Sequence, residues 1–433
     1  MKRKLKYREE DKFYEEPKKL QSLDAIIEEL NKNRETIYSY PSEAMIEIIN
    51  EYSKILCSDR KFLSYEGVPF LILWLKKDNI KKLLHQDLRK QEFLDDFIEI
   101  ADNKFMKAQP RGIVCHFMAG NVPTLPIYYL VQAIICRNVN LCRIPIGSIN
   151  IVIELLKPLK DIVINFRGEK YYGSTLLKSI SIINFSSNDL KLNTEMSQAA
   201  DVRVICGGEE AVNTLSVLPK KTTCKDVIFG PKYSFAVFEK SAMESLKITK
   251  TFDNFAKDII SFDQRACSSP QVLFIEKSTV GINEAAQMLS ESLEKVLKRY
   301  PKLEINQGAA ANIINKRGEY LLSLEKDIIC SKDLSYTILI DKEIMLEEPV
   351  QHITIFLKEV EDIFEVSKLI TPRIQTIGIA SEDNSRIMNF ANKVSLHGVD
   401  RLVKVGLMNL YDSPWDGILF MSEIVKWTIL NLN

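Results

Sequence analysis

Residues 111–145 set the strongest constraint on what this chain can become. RGIVCHFMAGN opens with a short apolar run and ends in a Gly-Asn turn. LPIYYLVQAIICR is apolar on every face, and NVNLCRIP is a second short run. A strand, a buried helix and a strand in about 30 residues form a β-α-β unit, whose strands pair in parallel through a right-handed crossover. The alternation recurs: SISIINF reads as a strand, LKLNTEMSQAA as a helix, DVRVIC as a strand, and GGEEAVNTLSVL opens a helix. An open parallel α/β sheet follows.

On either side the pattern changes. From Leu23 to Ala101 the apolar residues recur three and four apart, as in SLDAIIEELNKNRETI and QEFLDDFIEIAD, so this stretch is expected to be mostly helical, with Ser22 and Asp24 as cap residues. Beyond Ser234 a second α/β region is expected. Its helices are KSAMESLKITKTFDNFAKDIISF, INEAAQMLSESLEKVLKRY and VEDIFEVSKLI; its strands are QVLFIE, DLSYTILID, HITIFLKEV, TIGIA and RLVKVG. A chain of 433 residues holds two or three such packed units without disulfides or metals.

Composition narrows the functions. Lys+Arg and Asp+Glu both number 58, so no surface-wide attraction to nucleic acid or anionic membrane is expected. The basic start, MKRKLKYREE, is not followed by an apolar stretch, which argues against a secretory signal, and no run of roughly 18 apolar residues suggests a membrane span. The eight cysteines form no CxxC pair and read as free thiols in a reducing cytoplasm. The four histidines, His85, His116, His352 and His397, lack metal-ligand spacing, so no metal site is expected.

Four segments can carry chemistry. In FDQRACSSPQ, Cys267 ends a helical stretch in a polar turn ahead of a strand, with Arg265 two residues away to favour a thiolate. In HFMAGNVPTLP, Asn121 lies between a strand and a helix, where its amide can donate to an oxyanion. In VICGGEEAVNTL, Gly207 and Gly208 follow a strand and open a helix, which lets backbone N–H groups approach a pyrophosphate. In RNVNLCRIP, Arg143 ends a strand on the same side of the sheet. Each has a plainer account on its own: a turn cysteine, a helix-capping asparagine, a tight strand-to-helix turn, an exposed arginine.

Together and in this order, AGNVP, RNVNLCRIP, DVRVICGGEEAV, FGPKYS, FDQRACSSPQ and VKVGLMNLYDSPWDG resemble the LuxC-type acyl-CoA reductases, over about Arg111 to Trp427. These form a branch of the aldehyde dehydrogenase superfamily. They supply the fatty-acyl reductase of bacterial luminescence systems and have relatives outside luminescence. The resemblance implies an aldehyde-dehydrogenase-like fold: a helical N-terminal segment (1–104) packed on a Rossmann-type NAD(P)-binding domain (105–235), a catalytic α/β domain (236–420), and a C-terminal segment (421–433) returning to the cofactor domain or an oligomer interface. It makes Cys267 the acyl-accepting nucleophile and Asn121 an oxyanion donor. Gly207 and Gly208 would lie beneath the cofactor pyrophosphate, Arg143 against the adenosine ribose, and Glu348 (or Glu347) on the nicotinamide ribose.

Two departures from the superfamily pattern bear on chemistry. Ile228 stands where hydrolytic members carry the glutamate that activates water, so no general base is available there. Ile146 stands where NAD-preferring members carry a glutamate, which with Arg143 nearby favours NADPH over NADH. Arg137 also replaces a usual glycine before Asn138. The implied activity is NADPH-dependent reduction of a long-chain acyl-CoA or acyl-protein thioester to the aldehyde. Alternatives are a scaffold or acyl-carrying subunit for an acyl-protein synthetase, and an NAD(P)-dependent aldehyde dehydrogenase. Implied partners are acyl-protein synthetase and acyltransferase subunits, with a homodimer or homotetramer built through a hairpin in ADNKFMKAQPRG and the C-terminal segment.

Overall fold

The computed structural model describes residues 22–300 and 305–433, together with the backbone of two short paired strands, Lys6–Tyr7 and Phe13–Tyr14. The rest of the basic N-terminal decapeptide, and with it the reading of that segment, lies outside the described residues. The chain separates into two compact units, residues 1–230 with 411–433, and residues 231–410.

The first unit is built on a five-stranded parallel sheet in the order Lys225–Phe229, Val202–Cys206, Ile113–Phe117, Val139–Arg143, Ile180–Ile183. Ile113–Phe117 and Val202–Cys206 are buried along their whole length, as expected of a sheet covered on both faces. The chain moves outward from Ile113–Phe117 in one direction, then returns to lay Val202–Cys206 on its other side. The order therefore reverses between these two strands, and ligands of open α/β sheets bind at the carboxyl ends beside such a reversal.

Helices Asp24–Tyr38, Ser42–Ser58, Val68–Trp74 and Lys77–Leu88 share one apolar core with this sheet. The expected helix at QEFLDDFIEIAD does not form: Gln91–Leu94 is a single tight turn, and Ile98–Ala101 is a strand. Phe93, Leu94 and Phe97 fit helical spacing, but Ile98 and Ile100 alternate, and pairing with Lys104–Pro110 decides the outcome. The hairpin expected in ADNKFMKAQPRG is these two strands, and Val425–Asn431 pairs antiparallel on the far side of Lys104–Pro110. Ser22 Oγ accepts from Asp24 N–H at 3.2 Å, although the N-cap position itself falls to Leu23.

The structure accounts for Arg137. Its φ of 60° is the left-handed conformation that favours glycine. Its buried guanidinium donates to Tyr40 O at 3.0 Å, to Leu94 O and to the Asp95 carboxylate. One side chain thus ties the end of the first β-α-β helix to the N-terminal helical layer. Removing it strands two buried carbonyls and an ion-pair partner, so Arg137→Ala is expected to lower the unfolding free energy by about 3 kcal/mol in urea titrations. Lys54→Ala, at an exposed pair with Glu51, is expected to leave it unchanged.

The second unit is a seven-stranded sheet in the order Asp327–Cys330, Thr337–Asp341, Thr354–Val360, Val272–Glu276, Tyr233–Phe238, Ile374–Ala380, Arg401–Lys404, parallel except for the first strand. Alternate residues enter separate cores. Ala236, Phe238, Leu273 and Ile275 pack with Phe252, Phe255, Leu289 and Leu293 of helices Ile248–Ile260 and Ile282–Leu297. Phe235, Val237, Val272 and Phe274 pack with Phe356, Ile363 and Phe390 on the other face. VEDIFEVSKLI, expected as a helix, forms the 3-10 segment Ile363–Leu369, closed by a capping box between Asp362 and Glu365.

Candidate active site

Cys267 lies in the second unit, in the turn between helix Ile248–Ile260 and strand Val272–Glu276, and is partly exposed. The turn is over-determined. Phe262, Asp263 and Gln264 all have positive φ (57°, 50° and 60°), and so do Gln351, His352 and Ile353 (64°, 53° and 59°). Non-glycine residues in this region each cost about 1–3 kcal/mol, and such strain persists only where its surroundings enforce it. The two segments enforce each other. His352 N–H donates to Asp263 O at 3.2 Å, and its Nδ1 lies 2.5 Å from Asp263 Oδ2. Gln264 spans the strand start, with Oε1 accepting from Thr354 N–H at 2.8 Å and Nε2 donating to Thr354 O at 2.9 Å.

A second brace comes from behind. Both oxygens of buried Asp258 accept backbone N–H groups, from Gly406 at 2.5 Å and Met408 at 3.2 Å. That fixes Asn409, whose Nδ2 returns to Asp258 O at 2.8 Å and whose Oδ1 accepts from Ser268 Oγ at 2.8 Å and Ser269 Oγ at 3.4 Å. The sulfur and carbonyl of Cys267 are addressed directly. Gln375 Nε2 lies 3.1 Å from Cys267 Sγ, and Ser234 Oγ donates to Cys267 O at 2.7 Å. Arg265 Nε faces Asp263 Oδ2 at 3.9 Å.

Sequence reasoning did not find Gln375, Ser234, Asp258 or Asn409. Asn409 sits inside the VKVGLMNLYDSPWDG segment, so a polar residue in an apolar motif was the available signal. Gln375, the one amide in the buried run Ile374–Ala380, was another.

Glu347 is committed elsewhere: its carboxylate lies 2.8 Å from Nζ of fully buried Lys358, and its carbonyl accepts from Tyr233 OH at 2.9 Å. Glu348, beside it, is exposed in the irregular stretch between Asp341 and Thr354.

Asn121, Gly207, Gly208 and Arg143 belong to the first unit, at the carboxyl ends of adjacent strands. Asn121 follows Ile113–Phe117 on a half-buried loop; the N-cap of the next helix, Leu125–Ile135, is Thr124. Gly207 and Gly208 follow Val202–Cys206 and open helix Glu209–Ser216. The two strands flank the point where the sheet order reverses. A Cβ on Gly208 would meet nothing within 4 Å, so the turn presents open backbone. Arg143 ends the next strand, its guanidinium 5.1 Å from the Phe185 ring and its buried Nε without a hydrogen-bond partner. The Gly207 N–H donates to Phe229 O at 3.1 Å, so the uncrowded Gly208 backbone at a helix start and a cation with an unspent donor are what suit a dinucleotide. His116 is not part of this set: it bonds Asn140 at 2.9 Å, and burial pushes its imidazole down to about 4. Among the described residues no group of three His, Cys, Asp or Glu could hold a metal, and no helix is long and apolar enough to cross a membrane.

Two parallel sheets with these strand orders define an aldehyde-dehydrogenase-like fold. Aldehyde dehydrogenase 21 from Physcomitrella patens superposes with a TM-score of 0.66 at 12% identity, over 94% of this chain and 89% of that one. NADP-dependent glyceraldehyde-3-phosphate dehydrogenase from Bacillus halodurans does so with 0.64 at 14% identity, over 95% and 91%. The family model for the LuxC acyl-CoA reductases matches residues 19–427, and the chain belongs to this family of oxidoreductases. The match takes in the N-terminal helices, where motif resemblance was weakest. Similar proteins include the long-chain acyl-protein thioester reductases of Aliivibrio fischeri, 24% identical over 78% of this chain and 67% of that one, and of Photorhabdus laumondii, 24% identical over 89% and 74%.

The Asp258 brace is pH-dependent. Burial lifts its carboxyl to about 7, against the pull of the two backbone donors. With the folded value above the unfolded one of about 3.9, the contribution to stability is full below about 3.9 and is lost as pH rises through about 7. Urea titrations from pH 4 to 8 are expected to show native stability falling relative to Asp258→Asn over that window and levelling off above it.

Proposed function

We propose that this protein reduces a long-chain acyl thioester to the aldehyde through an acyl-Cys267 intermediate. What carries the reading is a partly exposed thiol with a side-chain amide on its sulfur, set in a strained turn that two buried networks brace. Cys267 thiolate attacks the thioester carbonyl, and the donor's thiolate leaves. The Cys267 backbone N–H and the Asn121 amide are assigned to the oxyanion that forms at each addition. A reduced nicotinamide cofactor, NADPH in this reading, supplies the hydride that converts the acyl group to aldehyde. Gly207 and Gly208 would hold its pyrophosphate and Arg143 the 2′-phosphate; Glu348 is assigned to the nicotinamide ribose. Ile228, an apolar side chain where a water-activating carboxylate would stand, favours reduction over hydrolysis.

The acyl donor is either acyl-CoA or a protein-bound thioester. The relatives' own description, as long-chain acyl-protein thioester reductases, supports the second. An acyl-protein synthetase and an acyltransferase are the partners in this reading, and a reducing cytoplasm is its setting. The outer edge of Val425–Asn431, with no paired strand among the described residues, supports a homodimer or homotetramer.

Aldehyde trapping with a tetradecanoyl-CoA donor tests the assignment. Cys267→Ser is expected to yield no aldehyde, and Asn121→Ala to lower kcat by about 10²–10³. Arg143→Glu is expected to lower kcat/KM for NADPH about 100-fold and leave that for NADH nearly unchanged. Undiminished aldehyde from Cys267→Ser would refute the scheme.

A further inference from the structure

Strands Tyr233–Phe238 and Ile374–Ala380 run side by side in parallel, and their pairing slips by one residue. Tyr233 stands against Ile374, but Ser234 stands against Thr376. Gln375 is the residue left over. A bulge takes a residue out of the ladder's alternation and re-aims its side chain. Gln375 is fully buried, and its Nε2 points at Cys267 Sγ from 3.1 Å. The same slip lets Thr376 N–H donate to Ser234 Oγ at 3.2 Å, while Ser234 Oγ donates to Cys267 O at 2.7 Å. One irregularity in the sheet therefore addresses both the sulfur and the carbonyl of the same cysteine.

The choice of residue is informative. The other positions of this strand are apolar, glycine or threonine, and every one is buried. An apolar side chain would fill the place without the desolvation that a buried amide must offset with hydrogen bonds. An amide N–H can only donate. A thiolate accepts that bond more strongly than a thiol, and far more strongly than a thioester sulfur, so the donor favours the charged form.

We propose that Gln375 is a catalytic residue, whose amide holds Cys267 as the thiolate that attacks the acyl donor; this rests on the acyl-Cys267 reading above. Cys267 first releases its thiol proton to solvent. Sγ then bonds to the acyl carbon, the donor's carbon–sulfur bond breaks with its electron pair, and the leaving thiolate takes up a proton from solvent. Neutralising the sulfur in the thioester weakens its hold on Gln375, so the donor stabilises the nucleophile more than the intermediate.

The test reads the thiol itself, in the full chain with neither acyl donor nor nucleotide, so its outcome is separate from whether aldehyde is made. Iodoacetamide alkylation of Cys267 is followed against pH by mass spectrometry of its peptide, which sets aside exposed Cys57 and Cys330. Native protein is compared with Gln375→Met and the near-isosteric Gln375→Glu. The other titratable and charged groups on the elements framing the turn, Asp258, Asp263, Arg265, His352, Arg373 and Arg401, are common to all three, so the titration of Asp258 at about 7 falls equally on each. The native midpoint is expected below the usual thiol value of about 8.5. Gln375→Met is expected to raise it by about one pH unit, with alkylation about tenfold slower below the midpoint. Gln375→Glu, which places a carboxylate at the sulfur, is expected to raise it further. A side chain that only fills space would leave the midpoint unmoved in Gln375→Met, and that result overturns the proposal. If Gln375→Met fails to fold, the native midpoint and Gln375→Glu decide it: a native value at or above about 8.5, or no rise in Gln375→Glu, overturns it equally.

Discussion

Asp258 is buried near the end of its helix, with each carboxylate oxygen on a backbone N–H of the segment that follows strand Arg401–Lys404. How the Cys267 turn is held depends on that contact. It fixes Asn409, and Asn409 in turn holds the hydroxyls of Ser268 and Ser269, the two residues after Cys267. On the N-terminal side of Cys267 in sequence, the run 262–264 locks to the run 351–353, both left-handed, through Asp263, Gln264, His352 and Thr354. A reactive thiol must be reachable yet held in one place. Here its reach comes from partial exposure, and its position from groups that are almost entirely buried. The cost of the strained backbone is met by hydrogen bonds on either side of the turn.

The first unit solves a different problem. Its sheet reverses order between Ile113–Phe117 and Val202–Cys206, and the Asn121 loop and the Gly207–Gly208 turn leave the ends of these two strands. Arg143 ends the strand beside them, stacked on Phe185 and with an unspent N–H. The N-terminal helices are bound to this sheet by Arg137, and the C-terminal tail is bound to those helices by Asp87. The Asp87 carboxylate accepts from Ser413 Oγ and from Met421 N–H at 2.7 Å.

Much of this was legible in the residues, for a physical reason. Buried parallel strands are short apolar runs, and crossover helices are long ones, so period and length separate them. Ile98–Ala101 was misread because helical and alternating spacings overlap in FIEIA, and a hairpin partner chose between them. Cys267 could be picked out because FDQRACSSPQ resembles the reductase family's motif; a cysteine in a polar turn before a strand is, on its own, more often structural. Gln375 could not, because its role comes from a one-residue slip between strands about 140 residues apart in sequence, and register between distant strands leaves no local mark. Arg137 looked like an unexplained departure from a glycine. Only its partners, Tyr40, Leu94 and Asp95, lying over 40 residues upstream, give it a reason.

The central claim is that the acyl group passes through a covalent bond to Cys267. Intact mass after mixing the protein with tetradecanoyl-CoA, in the absence of nucleotide, tests it most directly. The account predicts one added tetradecanoyl group, absent from Cys267→Ala and discharged as aldehyde when NADPH is supplied. An adduct that survives in Cys267→Ala, or aldehyde formed by that variant, would contradict it.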